Sequence, residues 1–191
     1  MSFEIAYKKT MVHEGLYSND SVDFGGETVK GISRRFHPDW SGWGIIDYYK
    51  QFENFRDLLK NSKKLGDSVK AFYKKNYWDI FDGDEINSLI AIEMFDTAVN
   101  MGIKKSILFL QIGLNCLNRN EILFKDLIED SFWGNNTKNA LNLLTKTEID
   151  IIILLKILNV LQGNHYIEIM KKNHTQEKYA RGWFNRVEIK K

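Results

Sequence analysis

The apolar residues of the second half of the chain recur at helical intervals, and that spacing leaves little except an α-helical packing open to it. Ile107, Leu110, Leu114 and Leu117 fall in register over 104–118. Thr147-Glu148-Ile149-Asp150 matches a capping box, with Asp in place of the usual Glu or Gln, and opens an apolar helix running to about residue 161. Gly102 closes a helix over 85–101, Thr137 caps one over 138–144, and 164–172 and 176–188 complete the series. The first half also predicts helices, over 3–14, 46–60 and 67–78, the last with Val69, Phe72, Tyr73 and Tyr77 on one side. FDGDE (81–85) reads as a turn with an N-cap at Asp84, which divides the chain into regions 1–82 and 83–191.

Residues 15–33 break this pattern. They hold four of the 13 glycines, alternate irregularly, and predict a β-hairpin turning at Gly25-Gly26. A loop over 34–44 follows, with the only proline, Pro38, and two of the five tryptophans, Trp40 and Trp43. The fold class expected is mainly α, a helical bundle with one small β-hairpin.

At 191 residues, 43% hydrophobic and 27% charged, the chain can bury a core without cross-links. A net charge of +2 is too balanced for a nucleic-acid partner. The most apolar run, Ile149–Leu161, is interrupted by Asp150, Lys156 and Asn159 and is too short to span a membrane. The N-terminus MSFEIAYKKT lacks a signal-type apolar core, so synthesis in the cytoplasm and assisted export are expected. The single cysteine, Cys116, sits in an apolar run and reads as a buried thiol. No metal-ligand spacing links the histidines to Cys or acids, and no G-K-[ST] follows the glycine pair, so neither metal nor cofactor is expected.

The candidate chemistry begins at Glu14, at the predicted end of the first helix. The negative pole of a helix opposes ionisation there, and partial burial adds to the effect, as a general acid requires. Asp23 lies on the first arm of the predicted hairpin and Thr28 on the second. A protonated acid, an ionised carboxylate and a water-orienting hydroxyl are the parts that hydrolyse a sugar acetal. The residues alone equally allow a polar hairpin built on an Asx turn.

EGLYSNDSVDFGGETVKGI (14–32) resembles the signature of glycoside hydrolase family 108, the N-acetylmuramidases of phage endolysins and of secretion. The matching positions are Glu14, Gly15, Tyr17, Asp23, Gly25, Gly26, Thr28, Gly31 and Ile32; Leu16 departs from the usual second glycine and Phe24 from a common proline. The resemblance implies a lysozyme-like fold whose hairpin borders an active-site cleft, Glu14 as general acid, and Asp23 and Thr28 assisting the attacking water or the developing positive charge. EMFDTAVNMG (93–102), TKNAL after Asn136 and ARGWFNRV (180–187) resemble the predicted peptidoglycan-binding region usually fused to it. Asn100-Met101-Gly102 also resembles an Asn-x-Gly that lysozyme-type folds place near the catalytic Glu, which implies that the second region packs with the first to complete the cleft. Without the resemblance it is simply a helix end.

Tyr17, Gly25, Gly26, Trp40, Trp43 and Asn100 are the expected substrate contacts, since aromatic faces stack on sugars. The implied partner is bacterial peptidoglycan, cleaved at the β-1,4 bond between N-acetylmuramic acid and N-acetylglucosamine, in the periplasm or wall after passage by a holin or secretion route, with no nucleic acid and no stable membrane insertion. Alternatives are a lytic transglycosylase and a non-catalytic wall-binding protein.

Overall fold

The computed structural model describes residues 2–12, 15–19 and 25–187. Two compact units divide it, Phe3–Asp79 and Ile80–Lys191. The architecture is mainly α with one small antiparallel sheet, the lysozyme-like class expected.

The first unit opens with α1 (Ser2–Met11), which buries Phe3, Ala6 and Thr10. The sheet follows as β1 (Tyr17–Asn19), β2 (Glu27–Val29) and β3 (Ile32–Ser33), in that spatial order. The sequence predicts one hairpin turning at Gly25-Gly26; instead there are three strands, and the tight turn is Lys30-Gly31 between β2 and β3. Both residues have positive φ, 48° and 80°, as a two-residue primed turn demands. Gly25 and Gly26 belong to the longer β1–β2 connection, because Asn19 pairs directly with Glu27.

α2 (Gly42–Tyr49), α3 (Phe55–Asn61) and α4 (Lys63–Tyr73) replace the two helices predicted over 46–60 and 67–78. A continuous helix would set Phe55 half a turn from Ile46. Ile46 is fully buried and Phe55 packs edge-on against Tyr17 at 5.2 Å, so the chain breaks between them. The Ser62 hydroxyl accepts from the Leu65 amide and starts α4 four residues earlier than its apolar stripe suggests. α4 leads into a π-helical turn, Lys74–Trp78. Trp78 is completely buried and meets Phe3 at 5.5 Å, tying α1 to the end of α4.

The second unit holds α5 (Ser88–Met101), α6 (Ile103–Leu117), α7 (Asn135–Leu144), α8 (Glu148–Lys172) and α9 (Ala180–Phe184). Asn87, not Asp84, caps α5, its side-chain oxygen accepting from the Leu89 and Ile90 amides. Gly102 at φ 90° ends it. α5, α6 and α8 pack against one another around Met94, Phe95, Leu110, Leu114 and Leu158. A Cβ on Gly113 would lie 2.7 Å from the Leu154 side chain, so α6 and α8 approach too closely there for anything larger.

Thr147 caps α8 as the sequence implied, accepting from the Asp150 amide at 3.1 Å. The helix then runs unbroken past the predicted stop near 161, because buried Gly163 receives the Phe184 and Val187 side chains and is held inside the packing. Gly134 rather than Thr137 precedes α7; Thr137 lies inside the helix and is 3% exposed. Cys116 is exposed rather than buried, since the stripe of Leu110 and Leu114 faces the core and Cys116 points away from it.

Candidate active site

The strand register sorts the side chains of the sheet into two faces. Ser18 pairs with Thr28 and Thr28 with Ser33, which sets three hydroxyls in one row across three strands. The Ser33 hydroxyl donates to the Gly25 carbonyl at 2.5 Å and the Thr28 hydroxyl to the Gly26 carbonyl at 3.1 Å. The row therefore holds the Gly25-Gly26 backbone against the sheet. Thr28 is partly exposed, and with its proton committed to Gly26 its oxygen still has lone pairs to accept from a water.

The opposite face carries Tyr17 and Glu27. The Tyr17 phenol donates to Glu27 at 3.2 Å, and burial followed by the Glu27 charge pushes it above its ordinary value. Lys50 and Arg34 both pair with Glu27, Arg34 at 3.1 Å. Arg34 also forks onto both oxygens of Asp47 at 2.7 Å and lies 4.5 Å over the Trp43 ring. These contacts fix α2 to the edge of the sheet. Sequence reasoning passed over Glu27 and Arg34; the signal available was only that Glu27 lies between two motif positions, Gly26 and Thr28.

Glu14 and Asp23, and His13 beside the first of them, lie outside the described residues. Thr28 comes together with Gly25 and Gly26, whereas Tyr17 lies on the opposite face of the sheet against Glu27. Trp43, expected to contact sugar, is 5% exposed; its indole N–H donates to the His37 carbonyl at 2.7 Å and Arg34 covers its ring. It serves as core and offers no stacking face. Trp40 is partly exposed, with its edge against Trp43 and its ring over Gly42. Asn100 is half-buried in the last turn of α5, in the second unit.

Residues 7–102 match the glycosyl hydrolase 108 family, which is half of the chain. The chain belongs to the glycosyl hydrolase 108 family. Residues 107–188 match a second family, described as a predicted peptidoglycan domain. Together the two matches give this glycosyl hydrolase 108 member a peptidoglycan-degrading function. No curated protein matches it. Among solved structures it is similar to that of Brucella abortus SagA, at 19% identity and a TM-score of 0.60, covering 97% of this chain and 89% of that one; the likeness is one of fold. The family boundary, between 102 and 107, differs from the division into compact units after Asp79. α5 belongs to the hydrolase family by sequence and to the helical unit by packing.

Proposed function

We propose that this protein is an N-acetylmuramidase that cleaves the β-1,4 bond between N-acetylmuramic acid and N-acetylglucosamine. Glu14 donates a proton to the leaving glycosidic oxygen. Asp23 supplies negative charge to the developing cation, and the Thr28 hydroxyl accepts from and orients the attacking water. The observation that carries this reading is the ordered agreement of nine positions from Glu14 to Ile32, inside the residues that match the hydrolase family. The hydroxyl row supports it, because it leaves Thr28 partly exposed with accepting capacity.

The setting we propose is the bacterial wall, reached from the cytoplasm through a holin-type or secretion route, as for a phage endolysin or a secretion-assisting muramidase. The test is clearing of a peptidoglycan suspension by the purified protein. Glu14→Gln should lower the rate by a factor of about 10²–10⁴, the range for a lost general acid, with the melting temperature unchanged. Mass spectrometry of the fragments should show reducing N-acetylmuramic acid ends. Anhydro ends would make the enzyme a transglycosylase instead, and clearing that survives the substitution would remove the acid assignment.

A further inference from the structure

The connection between α6 and α7, residues 118–134, contains neither helix nor strand, yet its path is tightly specified. Three carboxamides on one face hold it, Gln111 and Asn115 of α6 and Asn118 just past the helix end, spaced four and three apart. Gln111 is 1% exposed; it accepts from the Ser131 amide and donates to Asp130 and to the Phe132 carbonyl, at 2.9, 2.9 and 3.2 Å. Asn115 bonds both ways with the Leu127 backbone, at 2.8 and 3.0 Å. Asn118 donates to Asp126 at 2.5 Å and accepts from the Glu121 amide at 3.1 Å. Trp133 fastens the far end by donating to Asp82 at 2.9 Å. Arg119, Asn120, Glu121 and Ser131 are all held at positive φ, a conformation that non-glycine residues adopt at a cost.

This scaffolding half-buries Leu123, Phe124, Leu127 and Trp133 but leaves other apolar side chains of the loop outside. Ile122, Ile128 and Phe132 are 79%, 81% and 70% exposed. Between the loop and α7 runs a groove of about 620 Å³, lined by Ile128 and Phe132 from the loop and by Asn135, Asn136, Asn139 and Leu143 from α7, with Lys125, Asp126 and Asp130 also on its wall. The three asparagines are exposed, and among the described residues their side chains make no hydrogen bond. A ring, methyl-rich edges and free carboxamides held on a rigid frame suit an N-acetylated sugar. The ring takes a pyranose face, the apolar edge takes an acetyl methyl, and the amides take hydroxyl and acetamido groups.

We infer that this groove is a glycan-strand site of the helical unit, separate from the residues assigned to cleavage. The choice of occupant rests on the peptidoglycan reading above and on the match of 107–188, which contains the whole loop, to a predicted peptidoglycan domain. Binding to the polymer there would keep the enzyme on its insoluble substrate between cleavages.

Pelleting of the full-length protein with purified sacculi measures the affinity directly. Carrying Glu14→Gln in every sample spares the polymer, and reducing-end release by the unsubstituted protein is scored separately. A failed muramidase reading and a failed groove therefore give different results. Phe132→Ala combined with Asn136→Ala and Asn139→Ala should weaken pelleting about tenfold, and soluble chitotetraose should compete. Should the combined variant unfold, Asn139→Lys alone, which puts a long cation into the groove from an exposed position, is read in the same way. Unchanged pelleting overturns the inference. Competition by a free stem peptide but not by chitotetraose also overturns it, as does a dimer in light scattering that Phe132→Ala abolishes, which would make a second copy the occupant.

Discussion

Arg186 donates to Asp96 at 2.8 Å across ninety positions of sequence, and both side chains are more than nine-tenths buried. The pair ties the segment after α9 to α5. Gln162 on α8 adds a longer contact to the same carboxylate at 3.4 Å, and Trp183 stacks on Tyr166 at 5.0 Å beside it. The stretch 93–102, which resembles the peptidoglycan-binding region in sequence but falls inside the hydrolase-family match, is thus in direct contact with 180–187, which falls inside the peptidoglycan-domain match.

Removing one partner of a buried pair leaves the other charged and uncompensated. Arg186→Ala is expected to destabilise the protein by about 3 kcal/mol, read by urea denaturation. An apolar pair, Asp96→Leu with Arg186→Met, should recover most of that loss, because it removes both charges together. Equal loss in the single and double variants would show that the pair contributes nothing beyond packing.

The packing of α5 predicts where the chain can be cut. A fragment of residues 103–191 lacks α5 and leaves the faces of α6 and α8 that carry Leu110, Leu114 and Leu158 without their cover. It should retain helical circular dichroism but melt without a cooperative transition. A fragment of residues 80–191 keeps α5 and should melt cooperatively. Calorimetry on the two fragments separates the outcomes, and a cooperative transition in the shorter one would contradict the assignment of α5 to the helical unit.

Gly42 lies beneath the ring of Trp40, and an added Cβ would come within 2.2 Å of that ring. Gly42→Ala must therefore push Trp40 off its seat against Trp43 and Phe72. The expected cost is about 1–3 kcal/mol, typical of overpacking, with a change in near-ultraviolet dichroism. An unchanged spectrum and stability would mean that the ring moves aside freely.

His165 gives a signed pH dependence. Burial, with Lys105 and Lys172 adding repulsion, holds its imidazole below the ordinary value. Protonation then favours the unfolded chain. The contribution is complete above the unfolded value of about 6.5 and is lost as pH falls through the lower folded value. The melting temperature of the native protein should thus fall between pH 7 and pH 5 more steeply than that of His165→Gln. Parallel curves would assign the acid sensitivity to other groups.

Thr28→Val keeps a β-branched side chain on β2 and deletes the hydroxyl. If Thr28 orients the attacking water, peptidoglycan cleavage should fall roughly a hundredfold, toward the low end of what one positioned group supplies. The bond to Gly26 is also lost, so a rate that falls only in proportion to the loss of folded protein would make Thr28 a structural residue.

Local pattern made much of this protein readable before any coordinates. The α6 stripe, the Gly102 terminus and the Thr147 cap depend on neighbours within about four residues, so the sequence itself determines them. The motif from Glu14 to Ile32 was legible for the same reason, because its nine positions are close together along the chain. What tertiary structure alone decided involves partners far apart in sequence. It buried Trp43 under Arg34 and carried α8 past residue 161 by packing Gly163 against Phe184. It also joined Asp96 to Arg186, and pinned the loop after α6 to Gln111 and Asn115. Burial and long-range pairing follow from which faces meet, and no window of a few residues carries that information.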